Sequence, residues 1–151
     1  MSVTTGTVKP RVVTLGVINT KRQPGDTPES AASRLRNASN GDDEKFIVAV
    51  KDYAIGNVPY VKQPYETKVR NWTSATTKGG DCSETARIAE RMYKSQGIDA
   101  RVVHGVTGDG IPHDTVEIHH NKRIRFFDEK EIPHFTKVAD GFGDQEVLEP
   151  E

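Results

Sequence analysis

Lys78-Gly79-Gly80-Asp81-Cys82-Ser83-Glu84-Thr85-Ala86-Arg87-Ile88-Ala89-Glu90-Arg91-Met92-Tyr93 is the stretch on which the reading of this chain turns. From Cys82 to about residue 96 it has the pattern of an amphipathic helix. Asp81 stands where an N-cap belongs, and Glu84, three positions on, completes a capping-box arrangement. Ala86, Ala89 and Tyr93 form an inward row, with Ile88 and Met92 beside it. Gly97 is the expected residue just past the end. Cys82, the only cysteine, therefore opens the first turn, where the positive end of the helix dipole favours a thiolate. A lone cysteine makes no internal disulfide, so a structural staple is excluded. A small buried hydrophobe, an incidental thiol and a nucleophile remain.

Downstream, Arg101-Val102-Val103-His104-Gly105 reads as a strand, and residues 106–112 as a glycine-rich loop. A hairpin follows. Residues 113–119 form one strand and 123–128 the other, with His120-Asn121-Lys122 supplying the turn. If Asn121 and Lys122 make a two-residue turn, His120 pairs with Arg123 and every paired set of numbers sums to 243. Thr115 then lies opposite Asp128. His113 shares the face of Thr115, so His113 and Asp128 become diagonal neighbours with Cβ atoms about 7–8 Å apart. A one-residue slip would put them on opposite faces.

Upstream, Phe46, Ile47, Val50, Tyr53 and Ala54 fall on one helical face, with Gly56-Asn57 as a stop and Pro59 forbidding continuation. Val58 to Val61 reads as extended. Residues 65–77 are ambiguous, with a short helix expected around 67–72. Residues 1–42 are rich in Thr, Ser, Gly, Asn and Pro. They hold a candidate strand, Arg11 to Ile18, and a candidate helix from Pro28, with Thr27 as N-cap. The composition shift predicts an N-terminal arm at 1–42, docked on a partner or partly ordered. It is followed by a domain at 43–136 and an acidic tail at 137–151.

A chain of 151 residues suits one domain. Its 34% hydrophobic content is low, which fits an extension outside the core. The formal net charge of −1 gives no reason to expect a nucleic-acid partner. No apolar run is long enough to span a membrane, and the N-terminus lacks a secretory pattern. A cytoplasmic protein is the expectation, with incorporation into a particle or release by lysis leaving no mark.

Cysteine at a helix start, histidine and a carboxylate, in that order, make the logic of nucleophilic acyl transfer. The imidazole pairs with the thiol, and the carboxylate fixes its tautomer. The Cys82 N–H is one candidate oxyanion donor. Gly79 and Gly80 leave room for a substrate backbone.

Gly80-Asp81-Cys82-Ser83-Glu84-Thr85-Ala86, followed by Gly97-Ile98-Asp99-Ala100-Arg101-Val102-Val103-His104-Gly105, resembles the core of the transglutaminase-like superfamily of papain-like cysteine enzymes. His113-Asp114-Thr115-Val116-Glu117-Ile118 is similar to the family's histidine strand, and Phe126-Phe127-Asp128 to its aspartate strand. The likeness covers about residues 43 to 135. It implies an α+β fold in which the nucleophile helix packs on a small antiparallel sheet. It implies a triad of Cys82, His113 and Asp128, and cleavage of amide or isopeptide bonds in a peptide or protein substrate through a thioester, without a cofactor or metal. Pseudomurein endoisopeptidases are one comparison within the family. A protein-crosslinking transglutaminase, in which an amine resolves the thioester, is an alternative. A structural or adaptor module of a virion or larger assembly is another. Thr115 departs from the family, which often has an aromatic there, and implies a more open or more polar cleft. The family's second oxyanion donor comes from upstream, where Trp72, Gln63 and Tyr60 are the candidates.

The other histidines have simpler readings. His119 and His120 alternate faces and suit a solvated hairpin tip better than a metal set. His104 suits a satisfied core or cleft-edge position, and His134 a loop. Arg87, Glu90, Arg91 and Lys94 read as the wet face of a helix. Glu117 reads as a half-exposed strand residue.

Overall fold

The computed structural model describes residues 17–61, 71–106, 112–126 and 137–139. Four helices come first: α1 (Pro28–Ala38), α2 (Asp43–Asn57), α3 (Trp72–Lys78) and α4 (Cys82–Ser95). Four strands follow: β1 (Asp99–Val106), β2 (Pro112–His120), β3 (Arg123–Phe126) and β4 (Lys137–Ala139). They form one sheet in the order β3-β2-β1-β4, with every neighbouring pair antiparallel.

Each helix starts where a side chain can take up the free first-turn amides. Thr27 caps α1 and exchanges reciprocal bonds with Ser30, with Pro28 just inside. Asp42 accepts from the Glu44 and Lys45 amides at 2.9 and 3.2 Å to start α2. Asn71 accepts from the Ser74 amide at 2.8 Å to start α3. Asp81 accepts from the Ser83 amide at 2.9 Å, and Glu84 accepts from the Asp81 amide at 2.8 Å. That box fixes the first turn of α4. Gly97 ends the helix region at φ +78°, and the Ile98 amide returns to the Tyr93 carbonyl.

The predicted hairpin register is the observed one where it is described: His120 faces Arg123 and Glu117 faces Phe126. Asn121 and Lys122 make the two-residue turn, with φ of 52° and 61°. Ala100 pairs with Ile118 and Val102 with Val116, so these four share one sheet face and join the core. Against that face lie Ala86, Ile88, Ala89, Met92 and Tyr93 of α4; Phe46, Ile47, Val50, Tyr53 and Ala54 of α2, which packs on α4, complete the same buried core.

Ala31, Ala32 and Leu35 of α1 belong to the same core and have no exposure. The composition change near residue 43 therefore does not mark an edge of the packed body. The segment before α1 is also tied in: Asp26 accepts from the Tyr53 hydroxyl at 2.8 Å and from Arg34 at 2.7 Å. The candidate strand at 11–18 lies mostly outside the described residues, and Val17 and Ile18 have no regular structure. The expected short helix around 67–72 likewise lies mostly outside them, and the described helix begins at Trp72. The start of the expected acidic tail, 137–139, is a strand paired to β1. No helix among the described residues is long and apolar enough to cross a membrane.

Candidate active site

Cys82 is the first residue of α4 and is partly exposed. Its sulfur accepts a hydrogen bond from the backbone N–H of Asp114 at 3.5 Å. A strand N–H lies near the plane of its sheet, so the sulfur sits at sheet level, between the two faces. Peptide geometry puts the Cα of His113 about 2.4 Å from that nitrogen. The thiol is therefore within about 6 Å of the His113 backbone, inside the reach of an imidazole by side-chain rotation. Sequence distance made this meeting hard to assume. The capping box that fixes the start of α4 and the β2 strand that carries residues 112–120 together bring it about.

His113 is partly exposed and lies on the sheet face away from the helices, with Thr115 and Glu117. Thr115 is fully buried across from Val103, and its hydroxyl finds no hydrogen-bond partner among the described residues. Glu117 is more enclosed than expected. It accepts from Arg101 at 3.0 Å and contacts His119 Nε2 at 2.6 Å. Burial works to raise the Glu117 carboxyl, but His119 and Arg101 together overcome it and hold it below the usual range. His120 points to the other face, onto Asp43 at 2.9 Å. Both hairpin histidines thus have carboxylate partners and are not simply solvated. The described residues hold no group of three or more metal-ligating side chains.

The loop before Cys82 is held by the chain itself. The Gly80 amide donates to the Pro59 carbonyl at 3.0 Å, and the Val61 amide donates to the Gly80 carbonyl at 2.8 Å. A Cβ on Gly79 would lie 2.5 Å from the Pro59 oxygen, and one on Gly80 would lie 2.6 Å from Glu84 Oε1. The glycines were expected to admit a substrate backbone. What they admit is the 59–61 segment and the capping glutamate.

Of the upstream oxyanion candidates, Tyr60 bridges to Gly80, two residues before the thiol, and is 74% exposed. Trp72 is placed otherwise. It is buried, stacks on Tyr53 with ring centres 5.6 Å apart, and spends its indole N–H on the Asp26 carbonyl at 2.9 Å. A donor so committed is not offered to a substrate. Gln63, Asp128 and His134 lie outside the described residues, as does the His104 side chain.

Arg87 is not on the wet face of α4. It is buried and lies 3.7 Å from the buried Asp114 carboxylate. Sequence reasoning missed both, because each is charged and they stand far apart in the chain. Glu90 and Lys94 do pair, at 3.4 Å, while Arg91 reaches across to Glu29 of α1 at 2.7 Å.

The transglutaminase-like superfamily description matches residues 29–132, most of the chain and all of the elements that meet at Cys82. The chain belongs to the transglutaminase-like superfamily. Among solved structures it is similar to a "putative protease" from Parabacteroides distasonis, with TM-score 0.56 and 17% identity over 66% of this chain. It is similar to a "putative cysteine protease" from Cytophaga hutchinsonii, with TM-score 0.53 and 15% identity over 87% of this chain. It is also similar to a "TGase", with TM-score 0.52 and 15% identity over 80% of this chain. At such identities the likeness is one of fold. The chain spans 22%, 47% and 37% of the lengths of those three proteins. No curated protein matches the sequence.

Proposed function

We propose that this transglutaminase-like chain carries the catalytic core of a cysteine-dependent acyl-transfer enzyme that hydrolyses amide or isopeptide bonds. Cys82 is the nucleophile, His113 the base and acid, and Asp128 the orienting carboxylate. The observation that carries this reading is the 3.5 Å bond from the Asp114 amide to the Cys82 sulfur, at the dipole-positive end of α4 and beside His113. Asp128 is assigned from the sequence and the family resemblance, and the register expected there is the one observed from His120 to Glu117.

His113 takes the thiol proton, and the sulfur attacks the substrate carbonyl carbon. The Cys82 amide has no acceptor within its helix turn and supports the developing oxyanion. Tyr60 remains the upstream candidate for a second donor. The tetrahedral species collapses to a thioester as His113 passes its proton to the leaving amine. Water then gives a proton to His113, its oxygen attacks the thioester, and the acid and thiol are released. The partial exposure of Cys82 fits this reading better than a purely structural module, which would tolerate a sealed residue.

Iodoacetamide labelling across pH, in the native protein and in His113→Ala, tests it. A sulfur paired with His113 should alkylate readily near pH 7, and the substitution should slow this about tenfold. Labelling indifferent to His113 overturns the reading. If a primary amine added with a glutamine-bearing acyl donor is incorporated faster than the donor is hydrolysed, the activity is crosslinking instead.

A further inference from the structure

The mechanism above gives no role to Arg87 or to the side chain of Asp114. Both are charged, both are about nineteen-twentieths buried, and they lie 3.7 Å apart. They join the same two elements that the thiol contact joins: Arg87 is on α4 with Cys82, and Asp114 is the β2 residue whose amide holds the sulfur. A buried ion pair is a poor way to gain stability, because desolvating two charges offsets most of their attraction. An aliphatic pair would hold α4 on β2 as well. The location calls for a different account.

From bond lengths alone, the Asp114 carboxylate lies within about 7 Å of the Cys82 sulfur. Without Arg87, its negative charge would work against a negative charge on the sulfur. Arg87, 3.7 Å from that carboxylate, removes the penalty. We propose that Arg87 acts through Asp114: it neutralises the buried carboxylate, so that a charge beside the Asp114 amide does not work against a thiolate at Cys82. The titratable or charged residues on the elements that meet at the thiol are the capping Asp81, Glu84, Arg87, Glu90, Arg91, Tyr93 and Lys94 of α4, His113, Asp114, Glu117, His119 and His120 of β2, and Tyr60 and Lys78 of the flanking segments.

The inference rests on Cys82 being the nucleophile, and the test separates the two ideas. Iodoacetamide alkylation rates are measured across pH for the wild type, His113→Ala, Arg87→Met, Asp114→Asn and the Arg87→Met/Asp114→Asn double variant. Circular dichroism checks that each is folded. Arg87→Met should slow alkylation about tenfold near pH 7, whereas Asp114→Asn, which leaves the Arg87 charge in place, should speed it. The double variant, which removes both charges of the pair, should lie within about threefold of the wild type. A purely packing role would move both single variants in the same direction, and that result overturns the inference. If Arg87→Met does not fold, the double variant decides: a rate near the wild type supports the inference, and a tenfold loss overturns it. Indifference to His113→Ala would instead sink the enzymatic reading.

Discussion

A methyl group at residue 79 has nowhere to go. Gly79 sits at φ +99°, and an added Cβ would fall 2.5 Å from the Pro59 carbonyl oxygen and 2.8 Å from a Val61 methyl. The backbone oxygen cannot move without breaking the Gly80-to-Pro59 bond that sets the loop before Cys82. Gly79→Ala should therefore cost about 1–3 kcal/mol in urea denaturation. It should also slow Cys82 alkylation, because the loop and the first turn of α4 are continuous. Single residues are also where the sequence was least legible. Trp72 looked like a donor for chemistry, yet its partner is a carbonyl 46 residues away. Arg87 matched a solvated helical face by spacing, and only the fold shows that Asp114 meets it inside. A local pattern reports what a side chain prefers, not which distant group will satisfy it.

Elements were easier to read, because the signals that make them are local. The Asp81–Glu84 box, Gly97, the inward row of α4 and the hairpin turn all act within a few residues of the structure they specify. α3 was harder. Asn71 was present as a cap, but the helix is short and threonine-rich, and its hydroxyls bond back to carbonyls one turn earlier, Thr77 to Thr73 at 2.6 Å. Contacts between elements have their own signature in acid. The His120 hydrogen bond, then Arg36 at 2.6 Å, hold the Asp43 carboxyl below its usual range at the start of α2. A carboxyl lowered on folding contributes stability above its unfolded value, near about 4. That contribution is lost as pH falls through the lower folded value. In thermal melts the wild type should exceed Asp43→Asn at pH 6, and the gap should close as pH drops below about 4.

At the scale of the whole molecule, α1 shows what composition conceals. The first 42 residues look polar because α1 buries mainly small groups, Ala31 and Ala32, around one large one, Leu35. All three have no exposure and share the core with α2, α4 and the sheet. Leu35→Ala should cost about 2–5 kcal/mol in denaturant unfolding. Arg91→Ala, which breaks the exposed bridge from α4 to Glu29 of the same helix, should cost no more than about 1 kcal/mol. An independent arm would show neither the large value nor the contrast.

The bend at Asn121 and Lys122 gives the molecule a form of phase memory. Both residues adopt the left-handed conformation, at φ 52° and 61°, so the chain reverses in a fixed number of steps. Because strand side chains alternate, the parity of that bend decides which side of the sheet each later residue occupies. His113 stands seven residues back from His120, about 23 Å along the strand. Lys122→Gly should ease the bend by about 1 kcal/mol while leaving His113-dependent labelling intact. The far end of the hairpin is thus addressed from its tip, and the tip can diversify in sequence so long as it keeps count.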